Sequence, residues 1–362
     1  MLHRSTMESR VTSLHGDGHR NPMLPNVVAT SLNRCFGQGW RSREIDSSGQ
    51  SRFCVFEVET ETARFALKQH PIERREHVLR QHAFQSMLVS LPECPVPTLH
   101  MWPNGTTWLE DSNRGWELSS WIVGAPMAIG DEIQQDAWDQ VIDAIAAMHR
   151  RAMVWRAPGE PKAQLRTGVP GLPAGLTDRR ERIAYWLQQG GPAIQERVDR
   201  LASECPELKN ELQVAVKRIT PWIPRLSESL APICQRHPPA WWIVRDCWRE
   251  HWLFEQNRLS GLIDFGAARE DWPGFDLVRC FGTMLKEGDA KWQSGFERYR
   301  SAVPEARFEL EDLITVHRAS VVLSLLQWFD WYHQGVFDIQ RWRSNFRMHE
   351  LMQRIDAMSN VA

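Results

Sequence analysis

With 362 residues, a mass of 42.0 kDa, 42% hydrophobic and 24% charged residues, the chain has material for one large domain or two moderate ones, and a disordered or fibrous protein is excluded. A formal net charge of −2 with no long block of one sign gives no polybasic arm for nucleic acid and no acidic tail. Seven scattered cysteines (35, 54, 94, 205, 234, 247, 280) show no C-x-x-C pair and no zinc spacing, and no apolar run reaches signal-peptide or membrane-spanning length, so a reducing, cytoplasmic setting without a membrane partner is expected.

Residues 1–25 read as a disordered leader. Asn26 to Phe36 carries apolar residues at helical spacing and stops at Gly37 and Gly39. Those glycines form G-x-G, but Ser42 breaks the dinucleotide fingerprint, so they read as a turn. From Ile45 the pattern is a Ser/Gly loop, a strand at Arg52 to Glu59, a polar turn at Thr60 to Thr62, and a second strand ending at Lys68. Glu73 to Leu91 repeats apolar residues with one dry helical face, behind Pro71 as a start signal. Thr106 to Glu110 and Trp116 to Val123 read as strands around Asp111 to Gly115, and Gly124, Ala125 and Pro126 then break the pattern. A lobe boundary is expected there, dividing 26–122 from 123–362.

Beyond it, Ala137 to Arg151 is helical, Ala157 to Thr177 is a Pro/Gly-rich connector, and Asp178 to Ser229 reads as two helices. A second β-rich island follows at Trp241 to Val244 and Trp252 to Ile263, with helices from Phe275 to the C-terminus. Strands first, then helices around a small hairpin, give an α+β class. Eighteen tryptophans against three tyrosines point to an aromatic core, with Trp248 as the one most suited to face a ligand.

The segment from Ile243 to Asp271, IVRDCWREHWLFEQNRLSGLIDFGAARED, concentrates the chemistry. Asp246 and Asp264 stand 18 residues apart with a strand, turn and strand between them, which would bring both carboxylates to one end of a hairpin. Phosphoryl transfer needs such a pair: one carboxylate to position a hydroxyl and accept its proton, and another to hold a divalent ion against the phosphates. The plainer alternatives are a helix-capping turn residue for Asp264 and a self-bonded loop aspartate for Asp246.

At these residues the chain resembles the aminoglycoside phosphotransferase and choline kinase-like family, whose catalytic loop reads H-G-D-x-x-x-x-N and whose metal motif is close to I-D-F/W-G. Val244, Arg245 and Asp246 through His251, and Ile263 to Gly266, occupy the corresponding places, and Trp272 to Arg279 resemble the family's D-P-x-x-D-L-A segment. The resemblance implies a two-lobed protein-kinase-like fold, with a small antiparallel-sheet lobe and a larger helical lobe. It implies ATP or GTP as phosphoryl donor with Mg²⁺ or Mn²⁺, and a small hydroxylated acceptor. Asp246 becomes the base, Asp264 the metal ligand, and Asp276 the aspartate that supports the catalytic loop.

Lys68 falls where the family places its phosphate-binding lysine, with Glu76, or else Glu73, as its anchor. Ser48 and Gly49, between Ser47 and Gln50, would form the loop over the triphosphate. Ser120 and Ile122 would meet the adenine. Two departures stand out: Val244 replaces a histidine, and His251 replaces the amide ligand. His251 therefore ligates the ion itself, favouring Mn²⁺, acts through a water, or stands aside. These departures also motivate another reading, a catalytically silent relative that binds nucleotide or a protein partner. A polycationic acceptor would want carboxylates, of which the C-terminal half offers only the dispersed Glu309, Asp312, Asp330 and Asp338. Oligomeric state is not encoded in any of these signals.

Overall fold

A computed structural model describes residues 24–45, 54–128, 130–157, 172–204, 206, 209–236, 238–334 and 346–359. Their contacts divide into two compact units: residues up to 73 with 100–119, and 74–99 with 120–362.

The smaller unit is built on a five-stranded antiparallel sheet, in the order β1-β2-β3-β5-β4, with β1 Arg41–Ile45, β2 Val55–Glu59, β3 Arg64–Pro71, β4 Leu109–Asp111 and β5 Arg114–Ser120. Helix α1 spans Asn26–Phe36, the bounds its periodicity indicates, and buries Val28 and Leu32. These two pack with Phe56, Val58, Leu67, Trp102, Leu109, Trp116 and Leu118 in a core of their own. The edge strand β1 escapes sequence reading because RSREI has only Ser42 buried and so lacks the apolar alternation of a half-buried strand. β3 continues past Lys68 to Pro71, since Gln69 and His70 are buried, and His70 Nε2 lies 2.9 Å from Glu117 Oε2.

In the larger unit, α2 (Arg75–Leu88) follows a single 3₁₀ turn at Ile72–Arg74. Gly124 to Pro126 do not simply break the chain: Ala125–Pro126 form β6, which pairs with β8 (Trp252–Glu255), itself paired with β9 (Arg258–Leu262). Gly124 has φ 132, and a Cβ there would meet Ser260 Oγ at 2.3 Å, so only glycine permits the approach. The β8–β9 turn sets Gln256 and Asn257 at φ 46 and 64, the left-handed pair of a two-residue hairpin whose twist matches its strands. β7 (Trp241–Ile243) pairs instead with β10 (Arg269–Asp271), a three-residue strand too short to show any period.

The helices are α3 (Gln135–Val154), α4 (Ala174–Glu204), α5 (Lys209–Ile219), α6 (Trp222–Gln235), α7 (Gly274–Met284), α8 (Ala290–Ala302), α9 (Leu310–His333) and α10 (Phe346–Ser359). Where the spacing suggests two helices over 178–229, there are three among the described residues, and α4 itself is kinked at Gly190, whose φ is 73, just before Pro192. Pro192 cannot donate into the helical ladder, so the break falls where the chain is least able to continue it. Tryptophans 138, 186, 222, 241, 242, 252, 272, 292 and 328 are buried in this unit's single core, as the aromatic composition suggests.

Close packing imposes a titration constraint. His317 on α9 is buried, and a Cβ on Gly282 would lie 2.4 Å from its ring, so α7 and α9 meet through the absent side chain. Glu287 Oε2 stands 4.0 Å from His317 Nε2, but that carboxylate is engaged by Arg318 at 2.6 Å and leaves the imidazole uncompensated. Burial first, then the charges of Arg354, Arg279 and Arg318, push His317 from 6.5 down to about 3. The unfolded chain therefore binds the extra proton, so this contribution to stability is complete above pH 6.5 and is lost as the pH falls towards 3. Unfolding free energies from urea titrations across that range should fall more steeply in the wild type than in His317→Gln, by up to about 1.4 kcal/mol per pH unit. Parallel slopes would show that the imidazole is solvated.

Candidate active site

β7 delivers Trp241, Trp242 and Ile243 into the core, and the chain then turns sharply through Val244, Arg245 and Asp246. Arg245 adopts φ 68, a left-handed conformation that costs a side-chain-bearing residue about 1 kcal/mol. Asp276, fully buried in the first turn of α7, holds it there: Oδ2 accepts the N–H of Val244 at 3.0 Å and Oδ1 that of Arg245 at 2.6 Å. These are the bonds the resemblance implies for Asp276. His149 on α3 places Nε2 3.1 Å from the same Oδ2, with Nδ1 2.8 Å from the Tyr299 hydroxyl. The thiols of Cys247 and Cys280 beside them are pushed well up, by burial and then by the Asp276 charge, and so stay protonated.

The chain next passes through a 3₁₀ turn at Arg249–His251, pinned by Arg249 N–H to Thr283 Oγ1 at 3.1 Å. It presents His251 between the Asp246 backbone carbonyl and the Asp264 carboxylate. His251 Nδ1 is 2.7 Å from the Asp246 backbone carbonyl, and Nε2 is 3.7 Å from Asp264 Oδ2. A carbonyl only accepts, so Nδ1 carries the proton and donates it; in the neutral ring Nε2 then turns a lone pair towards Asp264. The Ile263 N–H donates to the His251 carbonyl at 3.0 Å and ties the two segments together by their backbones.

Asp264 is also left-handed, φ 63, and its Oδ1 accepts the Gly266 N–H at 3.1 Å. The Gly266 carbonyl in turn accepts from Arg74 Nη2 at 2.9 Å and Gln81 Nε2 at 2.6 Å, so the 3₁₀ turn and α2 together clamp this loop from its other side. His251 thus links the Asp246 backbone to the Asp264 carboxylate. Among the described residues no three His, Cys, Asp or Glu side chains are grouped to hold a metal ion.

Lys68 lies in β3 opposite Val55, in the smaller unit. Glu76, in the first turn of α2, is exposed and 3.7 Å from Arg80. Ser120 ends β5, its N–H donating to the Thr98 carbonyl and its hydroxyl oxygen accepting the Thr98 N–H, both at 2.8 Å. Ile122 packs on β9, where a Cβ on Gly261 would come 2.9 Å from Ile122 Cγ2. Ser48 and Gly49 lie outside the described residues.

Around Asp246 the fold assembles residues that sequence reading passed over. A cavity of about 90 Å³ is lined by Arg179, Arg245, Asp246, Phe275, Val278 and Arg279. Trp248 stands beside it with the Arg279 guanidinium over its ring at 4.1 Å, so the cation and not the indole reaches the cavity wall. One signal was present: Arg245 occupies the glycine of the H-G-D pattern. The partnership with Arg179, 66 residues earlier, has no sequence signature.

Comparison with known proteins gives this geometry a family. The model of the APH phosphotransferase enzyme family matches residues 44–311. No curated protein sequence matches significantly. Among solved structures, a spectinomycin phosphotransferase in complex with ADP and spectinomycin aligns with TM-score 0.54 and 11% identity, over 88% of this chain and 89% of that one. An aminoglycoside phosphotransferase from Alicyclobacillus acidocaldarius aligns with TM-score 0.53 and 12% identity, over 94% and 96%. A microcompartment-associated aminopropanol kinase aligns with TM-score 0.50 and 13% identity, over 92% and 95%. At such identities the likeness establishes the fold: a kinase-like arrangement of an antiparallel-sheet lobe and a helical lobe. Because the family model spans most of its 362 residues, the chain belongs to the phosphotransferase enzyme family.

Proposed function

We propose that this protein transfers the γ-phosphoryl group of a nucleoside triphosphate, ATP or GTP, to the hydroxyl of a small molecule. The observation that supports this best is His251, bonded to the carbonyl of Asp246 through one nitrogen and 3.7 Å from the Asp264 carboxylate through the other. A silent scaffold has no physical need to align these three groups.

The chemistry assigned to each residue follows from its position. Asp246 accepts a hydrogen bond from the acceptor hydroxyl, orients its lone pair, and takes the proton as the oxygen bonds to phosphorus and the bond to the departing diphosphate breaks. The left-handed backbone at Arg245 and the Asp276 bonds hold that carboxylate in place before substrate arrives, which is where most of the rate enhancement of phosphoryl transfer originates.

The donor set fits a divalent ion. A histidine that donates Nδ1–H to a backbone carbonyl has its other nitrogen oriented for ligation, and Asp264 Oδ2 faces that nitrogen. A site of one imidazole and one carboxylate, completed by phosphate oxygens and water, suits Mn²⁺ at least as well as Mg²⁺. Held by His251 and Asp264, such an ion would supply neutralisation of the charge that develops on the phosphates. Lys68 is assigned to the phosphates as a point charge, with Glu76 or Glu73 as its anchor. Ser48 and Gly49 are assigned to the triphosphate loop, and Ser120 and Ile122 to the base.

Thermal-shift measurements with ATP or GTP and with Mg²⁺ or Mn²⁺ test the assignment directly. A metal-dependent rise in Tm is expected in the wild type and absent in Asp264→Ala; no shift with any pair would leave only the scaffold reading. Asp246→Asn should bind nucleotide as the wild type does and lose about 10²–10⁴-fold in kcat; wild-type turnover in that variant would remove the base assignment. Asp276→Ala leaves two buried N–H groups without their acceptor and should cost about 3–5 kcal/mol in urea unfolding. A loss below 1 kcal/mol, on the order of an ordinary surface substitution, would mean the loop holds its shape by other means.

A further inference from the structure

Three guanidinium groups converge on the cavity next to Asp246, and each is held in place. Arg179 comes from α4 and is buried, with Nε donating to Ser320 Oγ and Nη1 to the Gly175 carbonyl, both at 3.0 Å, and its plane over the Phe275 ring at 4.0 Å. Arg279 comes from α7 and is stacked over Trp248. Arg245 comes from the catalytic loop itself, with Nε 3.4 Å from Asp271 Oδ2.

Among the described residues that line the cavity, Asp246 is the sole carboxylate beside the three guanidinium groups. Asp271 is fully buried and shared: it also lies 3.4 Å from Arg269 and accepts the N–H groups of Gly175 and Trp272 at 2.9 Å. The carboxylates that would have suited a polycation are spent elsewhere, Glu309 on Arg300, Asp312 on Arg236 and Asp330 on Arg197, while Asp338 lies outside the described residues. Desolvation, followed by the charges of Arg279 and Arg245, lowers Arg179 to about 9, so it is still a cation at neutral pH.

Arg245 adds an independent argument. Its φ of 68 is a conformation glycine adopts freely, and the family pattern has glycine there. A strained arginine in place of glycine, with its head group in the cavity, points to a role for the guanidinium.

We propose, building on the phosphotransferase reading, that the acceptor is an anion: a small hydroxylated molecule whose carboxylate or phosphate group lodges among Arg179, Arg245 and Arg279 while its hydroxyl meets Asp246. Planar, pre-positioned guanidinium forks bind either group bidentately. An ammonium group in the same place would meet three like charges, so cationic acceptors are disfavoured.

Four three-carbon probes that differ in charge test this: glycerate, glycerol 3-phosphate, glycerol and 3-amino-1,2-propanediol. Binding is read by thermal shift at matched ionic strength, with ADP and metal saturating so that the donor's phosphate sites are filled. Glycerate, glycerol 3-phosphate or both should raise the Tm of the wild type while the neutral and cationic probes do not, and the two anions distinguish a carboxylate from a phosphate site. Arg245→Gly relieves the backbone strain and should keep the wild-type melting point or exceed it, while weakening the anion at least about tenfold. Arg279→Gln provides the same readout if the glycine variant fails to fold. Equal shifts from all four probes, or unchanged anion affinity in the variants, would overturn the proposal. The ADP shift in the same samples reports separately on the kinase reading: anions bound without nucleotide would keep the pocket and remove the kinase, and nucleotide bound without anion preference would do the reverse.

Discussion

Asp276 carries a carboxylate into the interior of the helical unit, where water cannot reach it and the chain itself must supply its hydrogen-bond donors. Two of those donors are the consecutive N–H groups of Val244 and Arg245, so satisfying the buried acid fixes the turn that leads to Asp246. His149 and Tyr299 complete the cluster from two further helices. The loop that carries the proposed base is therefore shaped by the helical core beneath it, and its left-handed residue is held by bonds that would be lost if it relaxed.

The second loop is built differently. Asp264 turns back on the Gly266 N–H, and the Gly266 carbonyl is held by Arg74 of the 3₁₀ turn and Gln81 of α2. His251 joins the two loops, with a backbone carbonyl on one side and a carboxylate on the other. Replacing an amide by an imidazole at that position keeps a donor to the Asp246 carbonyl and a lone pair towards Asp264, which is why the departure from the family pattern is compatible with the proposed chemistry.

Much of this was legible along the chain. Helix α1 was recovered with its bounds because its apolar residues recur at the helical period and glycines end it. The β8–β9 hairpin and the spacing of Asp246 and Asp264 stood out because all of these lie within one continuous stretch. β1 and β10 did not, the first because a polar edge strand buries one residue and the second because three residues carry no period. Gly124 to Pro126 looked like a stop because pairing with β8, well over a hundred residues later, is a property of the fold.

By itself, then, the sequence determined the family, the class of fold, and the residues proposed for a phosphoryl-transfer site, because those signals are local in the chain. Only the tertiary structure decided what surrounds the proposed base. Arg179, Arg245 and Arg279 belong to a helix, a loop and another helix, and nothing in their spacing marks them as neighbours. The charge of a pocket is a sum over residues that packing brings together, and that sum exists only after the chain has folded.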